Sequence, residues 1–251
     1  MPPFFGPEAW APLAAAWKAY HEGDQDAVLI VHADDGEAEA MPVSIFFRHR
    51  EELRPADREA LARVRGRVLD GGAGVGALSL ILQEEGVAVT AVEVIPEGVS
   101  IMRERGVREV REGRLEDLPG DGAFDTVLLL MNGTALAGTV EGFTAFLAGL
   151  EGLLAPEGQV LVDSTDLSGI EADAGPHASA GAPVGAPVDD DAGELQYQLE
   201  FRGVRGAPFP QLFLDPRTLG RIVGEQGWSM ELAWEGEDGE YLACLKRARP
   251  A

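Results

Sequence analysis

Apolar residues along this chain gather into short branched runs and amphipathic stretches that alternate through its middle. Val68-Leu69 end in an acid and a glycine-rich turn, Asp70-Gly71-Gly72-Ala73-Gly74-Val75-Gly76, after which Ala77–Leu82 can open a helix. Two branched residues before such a turn read as the end of a buried strand. Val87–Val94 is a second apolar run rich in Val, and Phe124–Met131 and Gln159–Asp163 read as further strands. Between the last two, Thr139–Leu154 carries apolar residues at Val140, Phe143, Phe146, Leu147, Leu150, Leu153 and Leu154, a helical period that Pro156 and Gly158 close. Strands alternating with helices predict an α/β fold with a mostly parallel sheet and helices on both faces.

The flanks read differently. Glu8 to Tyr20 places Trp10, Leu13, Ala14 and Trp17 on one helical face, which we read as docking that helix to the sheet. Ala27–Val31 is a short apolar run, Met41–Phe47 is a strand or a loop, and Arg54–Arg65 is a helix leading into the core. Beyond the fifth strand, Glu171–Gly193 is built from Ala, Gly, Pro and Asp without period and reads as a mobile insertion, with His177 in it as a solvated side chain. Order resumes at Leu195–Phe201, whose strict alternation predicts a strand with one buried face. Asp215-Pro216 is a helix start, with the acid as cap and proline in the first turn. Met230–Trp234 and Tyr241–Lys246 flank a turn-rich acidic link and predict a terminal antiparallel pair. The chain thus divides into a helical cap or lead-in over 1–66 and a core over 67–251, interrupted at 171–193.

Composition narrows the setting. The chain has 251 residues and is 45% hydrophobic, enough for one α/β domain with additions. Its apolar runs fall short of the ~20 residues that span a bilayer. Met1–Gly6 lacks the basic region of a signal peptide, so the cytoplasm is the expected location. The lone cysteine, Cys244, sits in an apolar run and reads as a buried small residue. There are 43 acids against 20 basic residues, and the only lysines are Lys18 and Lys246. A net charge of −23 repels phosphate backbones, which argues against nucleic acid as a partner. Acid enrichment with lysine depletion also resembles proteins of salt-accumulating halophiles, where self-repulsion is screened.

The glycine turn carries the chemistry and has two readings. Gly72-x-Gly74-x-x-Ala77 fits the dinucleotide fingerprint. Asp70-x-Gly72-x-Gly74-x-Gly76 instead resembles motif I of the class I S-adenosylmethionine-dependent methyltransferases. The acid favours the second: a carboxylate at the strand tip repels a pyrophosphate but attracts a ligand with an amino group and a sulfonium. Glu93, 17 positions after Gly76, stands at the tip of the next strand, where an acid can take both ribose hydroxyls of an adenosine. Leu115-Glu116-Asp117-Leu118-Pro119 resembles the family's adenine-side loop, although Arg114 stands where the family often has an acid. Met131-Asn132-Gly133-Thr134-Ala135 departs from the Pro-Pro-aromatic motif of methyltransferases acting on amino groups of bases or glutamine. The string Leu128–Gly133 resembles an uncharacterised bacterial branch of the family.

The resemblance implies a Rossmann-like methyltransferase sheet with a C-terminal antiparallel strand. It implies S-adenosyl-L-methionine as cofactor, held by Asp70, Gly72, Ala73, Gly74, Gly76, Glu93, Val94, Leu115, Glu116, Met131 and Asn132. It implies in-line methyl transfer to a small-molecule acceptor, which an N-terminal segment such as Glu8–Arg65 often covers in this family; the short apolar runs argue against a membrane partner. A general base, if the acceptor needs one, would come from Asp163, Asp166 or His49, with His32 a further candidate. Arg48 and Arg50 could bind an anionic substrate, but read first as exposed arginines. No Cys/His cluster has metal spacing, so no metal is expected. Two alternatives stay open: an NAD-dependent oxidoreductase, and a methyltransferase-like binding domain without turnover.

Overall fold

The computed structural model describes residues 6–34, 38–167 and 193–248. The insertion read at 171–193 therefore lies outside the described residues except for Gly193, and so does His177.

The central sheet has seven strands. Five are parallel: β3 (Val68–Gly71), β4 (Val89–Glu93), β5 (Val110–Glu112), β6 (Phe124–Leu129) and β7 (Leu154–Thr165). β12 (Glu240–Arg247) runs antiparallel beside β7, and β11 (Trp228–Glu235) closes the edge, giving the order β11-β12-β7-β6-β3-β4-β5. The expected mostly parallel sheet with its antiparallel C-terminal pair is therefore present.

Alternation within the strands decides which helices cover which face. Val68, Leu128, Leu161, Leu242 and Cys244 point to one side, where they meet α2 (Pro55–Arg63) and α3 (Ala77–Glu84) through Ala60 and Leu82. Leu69, Val127, Leu129, Val160, Val162 and Ala243 point to the other. There they pack on α5 (Val140–Leu153) and α6 (Pro216–Glu225) through Phe143, Leu147, Leu150, Leu219 and Val223. Both helices start as their sequences predict. Thr139 accepts from the Gly142 amide at 3.0 Å, and Asp215 accepts from Arg217 and Thr218 at 2.9 and 3.1 Å. Such side-chain caps satisfy amides that the first turn leaves unpaired.

A second sheet was not foreseen as such. β1 (Val28–Ala33) and β2 (Ala38–Pro42) pair with each other, and β1 pairs with β8 (Gly193–Phe201), which also holds β9 (Val204–Arg205) and β10 (Phe209–Phe213). Residues 1–66 thus hold more than a helical lead-in, and they share a sheet with strands from beyond the fifth parallel strand. Leu195, Tyr197, Leu199 and Phe201 of β8 form its buried face, as their alternation predicts. They join Leu29, Val31, Phe209 and Phe213, and Leu13 and Trp17 of α1 (Pro7–His21), in one apolar cluster. That cluster meets the main domain at Val75 in the glycine turn and at Ile95 and Ile101 around the helix Pro96–Arg105. The small sheet and α1 therefore sit over the carboxyl ends of the parallel strands, where open α/β sheets bind ligands.

Candidate active site

A cavity of about 910 Å³ lies between the two sheets. It is at the large end of the ~300–1,000 Å³ range of small-molecule sites. Its floor is the carboxyl edge of the parallel sheet, and its roof is the underside of the small sheet with α1.

The glycine turn forms part of the floor. Gly72, Gly74 and Gly76 have φ of +68°, +58° and +81°, a region that residues with a Cβ rarely adopt. Gly76 is also tightly enclosed, since a Cβ there would come within 2.9 Å of Met102 and Val107. Asp70 is buried beside the turn and accepts from Ser79 Oγ at 2.6 Å; burial pushes its carboxyl up, against the pull of that hydroxyl and of Arg48.

Glu93 faces the same space from the tip of β4. Its Oε1 accepts from the amides of Val94 and Ile95 at 2.8 and 2.9 Å, and its Oε2 accepts from Gly74 at 2.8 Å. Burial pushes its carboxyl up to about 7, although the three amides favour the ionised form. The bond to Gly74 ties the two strand tips together, so Glu93 both shapes the turn and lines the cavity. Α solvated strand-end acid it is not.

The loop after β6 is the strained part of the site. Met131 and Asn132 follow one another with φ of +67° and +60°, unusual for non-glycine residues. Asp163, 1% exposed, holds them there. It accepts from the amides of Met131 and Gly133 at 3.0 and 2.9 Å and from Arg54 at 2.9 Å. Arg54 also binds Asp57 at 2.7 Å and Glu240 at 2.8 Å. Burial acts to lower the Arg54 pKa, but Asp163, Asp57 and Glu240 outweigh it and keep the group charged. Arg48, 5% exposed, gives Nε to Asp57 at 2.8 Å and Nη1 to the Ile45 carbonyl at 2.8 Å. Its Nη1 also lies 3.1 Å from Met131 Sδ. The reading of Arg48 as an exposed arginine is overturned, because it is buried against Asp57 and the Met131 loop. Arg50 is exposed and ion-paired with Glu85.

This chain resembles known proteins. Residues 69–162 match the family model described as a methyltransferase domain. A methyltransferase of Staphylococcus carnosus is 32% identical over 84 residues, a match spanning 34% of this chain and 39% of that protein. The crystal structure of an S-adenosylmethionine-dependent methyltransferase from Bacteroides fragilis, in complex with S-adenosyl-L-homocysteine, is 31% identical. That likeness covers 99% of both chains with a TM-score of 0.84. The chain belongs to the class I S-adenosylmethionine-dependent methyltransferases. A methyltransferase of Clostridium acetobutylicum shares only the fold, with 12% identity, 80% of this chain and 94% of the other covered, and a TM-score of 0.57.

In this methyltransferase the cavity gathers most of the residues expected at a cofactor. Asp70, Gly72, Ala73, Gly74, Glu93, Val94, Leu115, Glu116, Met131 and Asn132 line it. Gly76 does not line it; it caps α3 behind the turn. Glu116 is held by Arg114 at 3.1 Å, so the residue standing in the family's acidic position pairs with the acid two places on. The donor set fits S-adenosylmethionine: a glycine-rich turn, two buried carboxylates for a ligand bearing positive charge, and apolar walls from Val94, Leu115 and Met131 for a base ring. Of the base candidates, Asp163 lines the cavity, whereas Asp166 and His49 do not. His49 is exposed and starts a short 3-10 turn with its amide on Glu52, and His32 binds Glu200 at 2.9 Å.

Sequence reasoning set an N-terminal cover second to simple docking of the helix, and missed the small sheet that makes the rest of the roof. Trp10 and Trp17 line the cavity instead of only docking α1, with Trp17 resting 3.5 Å from where a Gly74 Cβ would stand. Tyr197, Phe209 and Phe213 line it from β8 and β10. The alternation of Leu195–Phe201 marked a buried face, but nothing local said what that face covers. Arg54 and Glu240 were also missed, since their pairing spans 186 positions.

Proposed function

We propose that this protein binds S-adenosyl-L-methionine in the floor of the cavity and transfers its methyl group to a small-molecule acceptor under the roof. The observation that carries the reading is the joined pair of strand tips. The Asp70 turn and Glu93 are linked by the Gly74 amide and open onto the cavity of about 910 Å³ under the roof.

When bound, the cofactor supplies a methyl group on a sulfonium, already a good leaving group. What remains for the chain is to bind, align and exclude water. Glu93 Oε2 accepts one amide and keeps capacity for a ribose hydroxyl. Asp70 places negative charge beside the amino-acid tail. Arg48 commits Nε and Nη1, and its Nη2 is the donor assigned to the tail's carboxylate. Asp163 acts as a positioning residue, because its oxygens already receive three donors and it fixes the Met131–Gly133 loop, whose Met131 and Asn132 line the cavity and would help hold the cofactor. The roof excludes water: α1 and β10 meet through Trp10 and Phe209, with ring centroids 4.5 Å apart. The B. fragilis relative was crystallised with S-adenosyl-L-homocysteine, which supports the same cofactor here.

The test is transfer itself. Incubation with methyl-labelled S-adenosylmethionine and fractionated cell extract should place label in the low-mass fraction. Label confined to protein or nucleic acid would refute the small-molecule acceptor. No label in any fraction, with cofactor binding intact, would favour the non-catalytic binding domain.

A further inference from the structure

The acceptor side of the cavity differs in chemistry from the cofactor side. Its wall is aromatic and preformed. Tyr197 stands 6.0 Å from Phe213 and 6.5 Å from Phe209 between ring centroids, and Trp10 packs on Phe209. Met41 and Phe46 extend the same surface. Such a wall favours a flat, apolar body.

Another part of the lining is rich in acid. The link between β11 and β12 brings Glu235, Glu237, Asp238 and Glu240 to the cavity. The guanidiniums lining it are Arg48, Arg54 and Arg114, and each is already paired with a carboxylate. Among the described residues lining the cavity there is no His, Lys or Cys.

Glu240 is the acid best placed for a ligand. It opens β12 directly opposite Thr165, the last residue of β7, and so stands at the carboxyl edge of the sheet. It is mostly buried, with 13% of its side chain exposed. Its Oε1 accepts from Arg54 at 2.8 Å, while Oε2 has no partner among the described residues. Burial pushes this carboxyl up, against the pull of Arg54 and with Asp163, Asp57 and Asp238 adding to the rise.

Resting on the methyltransferase reading, we propose that the acceptor is an amine on an apolar, ring-bearing body, seated on the Tyr197–Phe209–Phe213 wall with its nitrogen toward Glu240. An ammonium arriving there hydrogen-bonds Oε2 and gives it one proton, which frees the nitrogen lone pair. That lone pair forms the new bond to the methyl carbon as the carbon–sulfur bond breaks and its electron pair stays on sulfur. The positive charge passes from sulfur to the product nitrogen, so charge balances without a co-reactant. A carboxylate acceptor meets acids that lack free cationic partners, and an alcohol gains nothing from Glu240's charge.

The test uses the full chain saturated with S-adenosylhomocysteine. Phenethylamine, 2-phenylethanol and 3-phenylpropionate are titrated calorimetrically, and tryptamine, tryptophol and indole-3-propionate repeat the comparison on a larger ring. Each amine should bind roughly tenfold more tightly than its alcohol and acid, the gain of one charge-assisted contact. Glu240→Gln should remove that preference while leaving the Kd of the alcohols and of S-adenosylhomocysteine unchanged. A general loss of packing would weaken all three probes together, so the selective loss identifies the contact. Equal binding of amine and alcohol, tighter binding of either acid, no binding by any probe at millimolar concentration, or an unchanged preference in the variant would overturn the proposal. Failure of S-adenosylhomocysteine itself to bind would instead overturn the cofactor reading beneath it.

Discussion

Asp163→Asn separates a positioning role from a chemical one. The side chain is 1% exposed and receives the Met131 amide, the Gly133 amide and the Arg54 guanidinium. Asparagine keeps one acceptor oxygen and turns an N–H group toward a donor it cannot satisfy. Removing one partner of a buried ion pair costs about 3–5 kcal/mol. Arg54 retains Asp57 at 2.7 Å and Glu240 at 2.8 Å, which reduces the penalty. Losing one of the two amide bonds adds about 1 kcal/mol. The expected loss is about 2–4 kcal/mol, a large share of the ~5–15 kcal/mol typical of a domain. Urea unfolding followed by tryptophan fluorescence measures it, and the midpoint should fall with little change in slope. The Met131-Asn132 loop should also relax from its left-handed backbone, weakening S-adenosylhomocysteine binding. A variant as stable as the parent to within ~0.5 kcal/mol would refute the positioning role, since surface-like changes fall in that range.

Three further outcomes follow from the same geometry. Gly98→Ala puts a Cβ 2.7 Å from the Gly74 carbonyl, so the glycine turn must shift; stability should drop by ~1–3 kcal/mol and S-adenosylhomocysteine affinity with it, by denaturation and calorimetry. Glu93, raised to about 7, is mostly protonated at pH 6 and ionised at pH 8. If the ionised form accepts ribose hydroxyls, S-adenosylhomocysteine should bind roughly tenfold more weakly at pH 6 than at pH 8, with proton release on binding at the lower pH. Glu93→Gln should flatten that profile, and an unchanged profile would remove the assignment. We propose that the net charge of −23 is an adaptation to salt, so the melting temperature should rise steeply between dilute buffer and molar KCl as repulsion is screened; a flat curve would refute it.

The parallel half of the fold was legible because its signals are local. Val68-Leu69 before a glycine turn, the Val-rich run ending in Glu93 and the helical period of 140–154 each mark an element within a few residues. The antiparallel pair at Met230–Trp234 and Tyr241–Lys246 was legible for the same reason. The small sheet was not, since β1 pairs with β8 across 168 positions and neither run names its partner, as in His32 with Glu200. Arg48 shows the limit most clearly. Its neighbours Phe46 and Phe47 gave no hint that Asp57 and Met131 would enclose it. Glu93 was legible as a strand-tip acid, but its three backbone amides come from a turn whose path only the folded chain fixes. Its side chain is also buried, at 6% exposure.

The most direct measurement is calorimetric titration of the full chain with S-adenosylhomocysteine and, separately, with NAD. Asp70 and Glu93 beside a glycine-rich turn should give one S-adenosylhomocysteine site per chain and no heat with NAD, whose pyrophosphate the Asp70 carboxylate repels. Binding of NAD with no binding of S-adenosylhomocysteine would contradict the assignment of this cavity to methyl transfer.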